Sequence, residues 1–529
     1  MPLNEIDKVR TEGLSFSKRL FTRRTLVRSL SVLAPLAGAN FLGGCSSTQS
    51  DETIRMAVNT RPQMLDPRRA TDALSSRINR LLYRSLVDFN AHFEPVPDLA
   101  DWQQVSPTHY RFRLRESSTF HHGGALEAKD IAATYQSVLD PKLGSAHRGA
   151  LKNIEEITVV DTHTIDFTLK EVDALFVGRL VIGILPADLI ENEHPFHLQP
   201  VGSGPCRFVA MSEQWLKLQR LNDQVLLEFV PVKEATVRVL KLLKGEIDLL
   251  QNDLSPELVA YCRQQNSLQV QFRSGTNFGY IGFNFADPLL QQTALRQALA
   301  HGIDRQAVIA AIFQGQARLA QGLLVPEHWC GLSDLPDYEY NPEKAKQLLK
   351  SVQVPAEHLT LNNKNQRVIK LSYKTSNDPT RIRLATIYQS QLRPLGIELK
   401  IQSYDWGTFY NDIKQGRFQL FSLAWVGVKS PDIFQYAFAS NAIPPKGANR
   451  GRFMDAESDA LIAQALHSPD LAEQAMLYRQ LQRRLHSQLA SLPLWYEDNY
   501  AVQTQRLSPY PLFTDGRFDG LLKVQKRAS

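Results

Sequence analysis

Cysteine is scarce in this sequence, with four residues among 529. One of them, Cys45, lies near the N-terminus, so Cys206, Cys262 and Cys330 remain in the main body of the chain. Three cysteines allow at most one disulfide between them, and their wide spacing matches no zinc-binding pattern. These features exclude a disulfide-rich scaffold and a zinc module, and we interpret the three as buried, small apolar residues.

The sequence also lacks a strong excess of one charge. The formal net charge is +6, and most of that excess comes from the first 44 residues. No dense run of Lys and Arg with interleaved aromatic residues follows position 30. Because a nucleic-acid-binding protein needs a basic face to neutralise phosphates, we exclude nucleic acid as a partner.

Familiar catalytic motifs are missing as well. The sequence contains no Gly-x-Ser-x-Gly nucleophile elbow, His-Glu-x-x-His zinc motif or Gly-x-x-x-x-Gly-Lys phosphate loop. The adjacent His121 and His122 are poor joint metal ligands, because neighbouring side chains on an extended segment point apart. We therefore expect neither an enzyme nor a bound metal or cofactor.

The N-terminus resembles a bacterial export signal. Arg23 and Arg24 lie in a Thr-Arg-Arg-Thr-Leu-Val-Arg run that is typical of twin-arginine signals, although a Sec signal with a long basic region fits the same residues. The uncharged stretch 29–44 is too short to span a membrane. It leads into Leu-Gly-Gly-Cys, which resembles a lipobox and predicts lipid attachment at Cys45, with a tether at 46–50.

The rest of the chain alternates between strand and helix patterns. Period-2 alternation of apolar and polar residues predicts strands at 54–58, 110–115, 154–160, 164–169, 216–221, 225–230 and 397–401. Helical periodicity and capping residues predict helices at 75–86, 304–312, 341–349 and 380–392, and one that starts at 237 and stops before Gly245. Interleaved helices and strands indicate an α/β fold with mixed sheets.

A series of short motifs resembles one family along nearly the whole main body. The motifs are Leu65-Asp66-Pro67, 82–87, Pro97-Asp98-Leu99-Ala100, 110–115, 120–124, 128–131, Gly202-Ser203-Gly204-Pro205-Cys206, Gly245-Glu246-Ile247-Asp248, 295–305, 340–345 and 416–425. In this order they resemble the extracellular solute-binding proteins of peptide and nickel importers, family 5. Cys206 stands where the family carries an aromatic residue.

The resemblance implies a periplasmic-binding-protein-like fold of type II, with two lobes, mixed sheets and a hinge crossed twice. Lobe I is expected to combine 51–83, 200–276 and 488–529, with an inserted subdomain at 84–199. Lobe II is expected at 277–487, after the export signal at 1–45 and the tether at 46–50. Hinge closure around a ligand would exclude water from the cleft between the lobes.

The resemblance also implies a function. The chain would capture oligopeptides, or a related small solute, in the interlobe cleft and deliver them to an ABC permease driven by a separate ATPase. We expect a monomeric, lipid-anchored protein in the periplasmic space. Two alternatives stay open, a binding protein for a non-peptide solute and a surface or signalling lipoprotein receptor.

The expected ligand contacts lie in two segments. Peptide-binding relatives carry a Trp-x-x-Asp element whose carboxylate pairs with the ligand's α-ammonium group, but here Val428 stands in the aspartate position after Trp425. Asp432 could replace that carboxylate from a shifted position, or Lys429 could pair with a carboxylate or phosphate of an anionic ligand.

The second segment enters lobe II at the expected hinge. Its residues Asn277, Phe278 and Tyr280 are candidate ligand contacts, because their backbone could pair with an extended ligand. A cationic, turn-rich loop at 444–452 is interpreted as a surface loop, with Arg450 or Arg452 as a candidate contact.

Overall fold

The computed structural model describes residues 52–115, 118–362 and 365–527. The predictions on Arg23, Arg24 and Cys45 lie outside these described residues. Within them, no helix is both long enough and apolar enough to cross a membrane.

The strands and helices follow one another along the whole described chain. The strands are β1 Ile54–Val58, β2 Val87–Phe89, β3 Pro95–Pro97, β4 Ala100–Ser106, β5 His109–Leu114, β6 Ser118–Thr119, β7 Ala125–Leu126, β8 Ile154–Val159, β9 Thr164–Leu169, β10 Cys206–Met211, β11 Leu216–Arg220, β12 Leu226–Pro231, β13 Leu249–Gln251, β14 Leu268–Phe283, β15 Ala317–Leu319, β16 Leu359–Leu361, β17 Arg367–Ser376, β18 Ile397–Tyr404, β19 Leu420–Trp425 and β20 Ser491–Thr504. The helices are α1 Ala73–Leu82, α2 Ala128–Leu139, α3 Arg148–Leu151, α4 Ala187–Glu191, α5 Ala235–Leu243, α6 Pro256–Arg263, α7 Thr293–Gly302, α8 Arg305–Ile312, α9 Pro342–Lys350, α10 Pro379–Leu392, α11 Trp406–Gln415, α12 Ile433–Phe438, α13 Ala456–His467 and α14 Leu471–Ser487.

One mixed sheet runs through most of the molecule. Its strand order is β10-β11-β12-β1-β13-β20-β14-β19-β17-β16, with β15 also paired to β20 and β18 to β17. Both parallel pairs, such as β1 with β12, and antiparallel pairs, such as β14 with β19, occur in it. The long strands β14 and β20 lie in the middle of this order, so they connect its two halves.

The pairing of β14 with β20 is interrupted once near its centre. The antiparallel register runs from Leu268 to Arg273, breaks, and resumes at Asn277 opposite Glu497. Gly275 lies in the break, where an added Cβ atom would come within 2.1 Å of the Glu497 carbonyl oxygen. The break therefore depends on a residue without a side chain at this close approach of the two backbones.

A smaller antiparallel sheet is built from the segment that precedes β10. Its order is β4-β5-β9-β8, and its apolar side chains form a separate cluster with α2. Phe112 packs edge-on against Phe167, and Phe167 packs in the same way against Tyr135 of α2. Other apolar clusters lie on either half of the large sheet, around Leu218 on one side and Trp495 on the other.

Helix α1 is shorter than its periodicity predicts. Asp72 caps it by accepting a hydrogen bond from the Ser75 N–H at 2.9 Å, and it ends at Leu82, although the sequence predicts helix up to 86. The Leu82 carbonyl oxygen accepts a hydrogen bond from the Gly204 N–H at 2.9 Å. A tertiary contact thus satisfies a carbonyl group that would otherwise continue the helix.

Local capping signals elsewhere are confirmed. The Asp304 side chain accepts a hydrogen bond from the Ala307 N–H at the start of α8, and Asn341 caps α9 in the same way before a proline. Gly245 follows α5 with a positive φ of 71°, in the left-handed conformation expected after a helix. The hairpins β8–β9 and β11–β12 also form as predicted.

The three cysteines of the main body are buried and free, as their sequence pattern predicts. Burial raises the pKa of the Cys206 thiol to about 12 and that of the Cys262 thiol to about 11. Burial raises the pKa of Cys330 further still. The thiols are therefore protonated and unreactive at neutral pH.

The Gly-Ser-Gly-Pro-Cys motif has a structural explanation that can be tested. A Cβ atom at Gly204 would lie 2.4 Å from the Leu82 carbonyl carbon and 2.6 Å from the Leu81 carbonyl oxygen, both of which are backbone atoms. We expect Gly204→Ala to lower the free energy of unfolding by about 1–3 kcal/mol in chemical denaturation, because the backbone must shift to relieve the overlap.

Gly149→Ala is the matched control. Gly149 lies in α3, and a Cβ atom there would meet no described atom within 4 Å apart from its chain neighbours and the backbone of its own helix. This variant should be neutral or stabilising by up to about 1 kcal/mol, because alanine favours helix more than glycine does. Equal stability of the two variants would contradict the proposed role of Gly204.

Candidate functional site

A large cavity lies between distant parts of the chain. It has a volume of about 1190 Å³ and is lined by α1 and the residues after it, by 178–183, by a loop at 426–432 and by 515–522 near the C-terminus. The loop 426–432 follows β19 directly, so the end of that strand places it at the cavity. Pockets of this kind, formed where several elements converge, are the usual location of ligand sites.

The loop residue Lys429 lies at the cavity and is already paired. Its ammonium group is 2.8 Å from the Asp515 carboxylate, which also accepts a hydrogen bond from Arg517 at 3.0 Å. Although burial alone raises the pKa of Asp515, Lys429 and Arg517 lower it well below the ordinary range. Lys429 thus joins the loop to the C-terminal segment, and its charge is balanced by the protein itself.

Asp432, the second predicted contact of the loop, also lines the cavity. Its carboxylate lies 2.6 Å from the Arg179 guanidinium, which pairs in addition with Asp173 at 2.8 Å. Arg179 has its side chain 14% exposed, so the pair is largely withdrawn from water. The structure therefore assigns Asp432 to a second cross-link, between the loop and the segment 178–183.

Further ion pairs extend from Asp515 along the cavity wall. Arg517 approaches Asp88 at 3.2 Å, and Arg80 of α1 bridges Asp88 at 2.8 Å and Asp519 at 3.0 Å. Burial alone raises the pKa of Asp88, but hydrogen bonds from Arg80 and the nearby Arg517 charge lower it to about 2. This alternation of charges holds α1 and the C-terminal segment together on one side of the cavity.

Val428 does not supply the anion that a peptide ammonium group would need. Its half-buried side chain packs against the apolar cluster that contains Phe434 and Tyr478. The neighbouring Asp432 is engaged with Arg179, so it lies in an ion pair rather than free in the cavity. An amine could be bound by Asp432 only if the Arg179–Asp432 ion pair opened. The alternative, a ligand without a free amino group at this position, requires no such change.

Trp425 lies at the end of β19, beside the cavity. Its indole ring packs under the Arg450 guanidinium at 4.7 Å and edge-on against Tyr436 at 6.3 Å. Arg450 donates hydrogen bonds to the hydroxyl groups of Tyr280 and Tyr410, each at 3.2 Å. Neither Trp425 nor Arg450 is among the described residues that line the large cavity. A ligand contact of Trp425 therefore stays a prediction.

The segment around Phe278 differs from the expectation. Phe278 pairs with Trp425 of β19 on one side and with Tyr496 of β20 on the other, so its backbone groups are already used within the sheet. The Phe278 and Tyr280 rings are buried and stack on each other at 5.7 Å, while Asn277 pairs with Glu497. At Phe278 and Tyr280 both edges of β14 are occupied, so the expected backbone pairing with an extended ligand is not available at these two positions. At Asn277 only β20 pairs with β14, and a ligand contact of Asn277 stays a prediction.

Several residues at the cavity were not predicted from the sequence. Arg77, Arg179, Asp515 and Arg517 line it, and only α1 offers a signal for one of them. The apolar face of α1, with Ile78, Leu81 and Leu82, predicts burial, so the other face, which carries Arg77, must point away from the core. The pairs that involve residues far apart in sequence leave no local signal.

His328 forms a hydrogen bond with the backbone of the loop 426–432. Its Nε2 atom lies 3.1 Å from the Lys429 carbonyl oxygen and therefore donates to it, and its ring stacks on Phe93 at 5.4 Å. The residue is 3% exposed, and this burial lowers the pKa of the imidazole to about 4, although the hydrogen bond opposes the shift. His328 is thus neutral at physiological pH and connects the loop to the β2–β3 hairpin.

Comparison with known families gives a clear match. The model for the middle region of bacterial extracellular solute-binding proteins, family 5, matches residues 94–444. The matched region contains the segment 178–183 and the loop 426–432, two of the parts that line the cavity.

Similar proteins cover most of the chain. Heme-binding protein A of Haemophilus influenzae is 28% identical over 81% of this chain and 84% of its own length. Probable di/tripeptide-binding protein 5 of Pseudomonas aeruginosa is 27% identical over 83% and 89%. The crystal structure of the substrate-binding protein CtaP of Listeria monocytogenes covers 90% of this chain and 99% of its own, with a TM-score of 0.80 at 22% identity. The predicted α/β fold of periplasmic-binding-protein type is thereby confirmed.

The burial of His328 predicts a pH dependence. Its pKa is lower in the folded than in the unfolded chain, so the unfolded chain binds an extra proton between about pH 6.5 and pH 4 and stability falls as the pH falls through that window. Protonation of His328 in the unfolded chain should lower the free energy of unfolding by about 2 kcal/mol between pH 7 and pH 5. Denaturant titrations at the two pH values measure the loss.

His328→Phe is the informative variant, because phenylalanine can keep the stacking on Phe93 but does not titrate. We expect its unfolding free energy to fall less than that of the wild type between the two pH values. An identical fall in both proteins would show that other groups cause the acid sensitivity.

Proposed function

Because this chain belongs to the bacterial extracellular solute-binding proteins, family 5, we propose that it captures a short peptide or a related small solute and delivers it to an ABC importer. It is a binding protein and not an enzyme, as the family and the relatives agree. The observation that carries the proposal is the cavity of about 1190 Å³, which is somewhat larger than the usual small-ligand site of about 300–1000 Å³ and so has room for a short peptide.

The cavity wall supports capture by closure. We propose that 51–83, 200–276 and 488–529 form lobe I with the insert 84–199, and that 277–487 form lobe II. The pairs Lys429–Asp515 and Arg179–Asp432 then link the two lobes across the cavity. Opening would break the attraction within both pairs but would return four charges to water, and these two effects largely cancel. Ligand contacts must therefore supply the free-energy difference that favours the closed form.

The proposed hinge lies where β14 and β20 pass from one half of the sheet to the other. The register break between Arg273 and Asn277 interrupts the hydrogen-bond ladder there, which makes this point easier to bend than a continuous ladder. Because β14 and β20 are adjacent where they connect the two halves of the sheet, bending both strands at this point would rotate one half of the sheet relative to the other.

Export and anchoring complete the proposal. Arg23 and Arg24 would direct export, and a lipid on Cys45 would hold the mature protein at the membrane in the periplasmic space. The tether at 46–50 would leave the binding domain free to meet a permease, whose ATPase subunits supply the energy for uptake. A monomer suffices for this role, because the cavity is lined by one chain.

Native mass spectrometry of the protein, purified without refolding, tests the ligand class. We expect a set of added masses that corresponds to short peptides, because closure retains cleft-bound solutes. Val426→Trp adds bulk at an exposed lining position and should lower occupancy, whereas Arg61→Gln changes an arginine outside the lining and should not. A single non-peptide mass would replace the peptide assignment with that solute.

Metabolic labelling with radioactive palmitate tests the anchor. The wild type should take up label and fractionate with membranes, and Cys45→Ser should lose both properties, because the thiol is the proposed attachment point. Cys262→Ser changes a buried cysteine of α6 and should keep the label. Membrane association of Cys45→Ser equal to that of the wild type would refute the lipid anchor.

A further inference from the structure

The charges that line the cavity are almost balanced. The cations are Arg77, Arg80, Arg84, Arg179, Lys429 and Arg517, and the carboxylates are Asp88, Asp98, Asp432, Asp515 and Asp519. Every one of these carboxylates forms an ion pair, Asp98 with Arg84 at 2.9 Å and the others with Arg80, Arg179, Lys429 or Arg517 as described above. Within the described part of the chain, Arg77 is the cation of this lining that remains without an ion pair.

Arg77 is half-buried on the cavity face of α1. Its guanidinium packs over the Phe518 ring at 5.5 Å. Across residues 52–115, 118–362 and 365–527 it has neither a hydrogen bond nor an ion pair, as the nearby Asp515 is held by Lys429 and Arg517. Burial lowers the pKa of Arg77, and the charges of Asp253 and Asp515 only partly offset this, yet arginine stays charged at neutral pH.

An unpaired guanidinium in a partly desolvated wall is costly unless something else supplies the counter-charge. Five donors in a planar fork make it well suited to a carboxylate or phosphate, which it can bind through two parallel hydrogen bonds. The lining carboxylates, in contrast, are all paired, so the wall offers no equivalent partner among its described residues for a ligand ammonium group without breaking an existing ion pair. The charge balance of the cavity thus favours an anionic solute.

On the basis of the function proposed above, we propose that Arg77 binds an anionic group, a carboxylate or a phosphate, of the solute held in this cavity. The solute class is then an acid that needs no free amino terminus, such as an N-acylated peptide or a small organic acid. This accounts for Val428 at the position where peptide-binding relatives carry an aspartate, because no ammonium group has to be held there.

Binding to defined probes tests this assignment. We would measure affinities of trialanine, N-acetyltrialanine, trialanine amide, succinate and inorganic phosphate by isothermal titration calorimetry for the wild type and Arg77→Gln. We expect the probes with a free carboxylate to bind the wild type roughly 10- to 100-fold more tightly than the amide, which is the value of a charge-assisted pair. N-acetylation should not weaken binding.

Three variants separate a binding role from a structural one. Arg77→Gln should lose the preference for the acid over the amide and keep its melting temperature without ligand, because Arg77 holds no other residue of the described chain through a hydrogen bond or ion pair. Arg77→Lys should keep part of the preference, since it retains the charge but not the fork. Arg61→Gln, whose arginine pairs with Glu213 away from the cavity lining, should behave like the wild type.

The possible results distinguish the two proposals. Equal binding of acid and amide, or an Arg77→Gln variant that still prefers the acid, would overturn the role of Arg77 and leave peptide capture standing. Binding of succinate or phosphate alone, lost in Arg77→Gln, would support Arg77 and overturn the peptide assignment, and the stronger of the two probes would identify the anion. A wild type that binds none of the probes would overturn both.

Discussion

The antiparallel pairing of β14 with β20 is the constraint on which the rest of the molecule depends. These two strands are neighbours in the centre of the large sheet, and each half of the sheet extends from one of them. Strands β1, β10, β11 and β12 reach them through β13, and strands β16, β17 and β18 reach them through β19. Both walls of the cavity are therefore positioned by one hydrogen-bonded ladder, and its register fixes how they face each other.

Charge compensation is the second constraint, and it follows from the first. Two walls that meet over a cavity withdraw their polar side chains from water, so each charge needs a partner or a ligand. Lys429 and Asp432 show how closely this condition is met, because both loop charges find partners on the opposite wall. A ligand then meets a surface whose charges are largely satisfied, and the residual imbalance decides which solute it can hold.

Much of the fold could be predicted from the sequence, because its signals are local. Capping residues such as Asp304 and Asn341 and the alternation in β8 and β9 determine their elements within a few positions. The end of α1 could not be predicted, since a backbone group from a distant part of the chain, the Gly204 N–H, satisfies the Leu82 carbonyl oxygen.

The site was less predictable than the fold. The loop 426–432 could be found because it follows a motif, but its partners Arg179 and Asp515 lie in distant segments of the chain. Phe278 and Tyr280 are buried, and both edges of β14 are occupied at their positions, which the sequence alone does not show. Pairings across the cavity are properties of the tertiary structure and leave no pattern in the sequence.

The three buried thiols have a consequence for when the protein can fold. None of Cys206, Cys262 and Cys330 is in a disulfide within the described residues, and burial keeps each thiol protonated. The fold of the described residues therefore contains no bond that an oxidant or a disulfide isomerase would have to supply. For this part of the chain, disulfide formation places no restriction on whether folding is completed in a reducing or an oxidising environment.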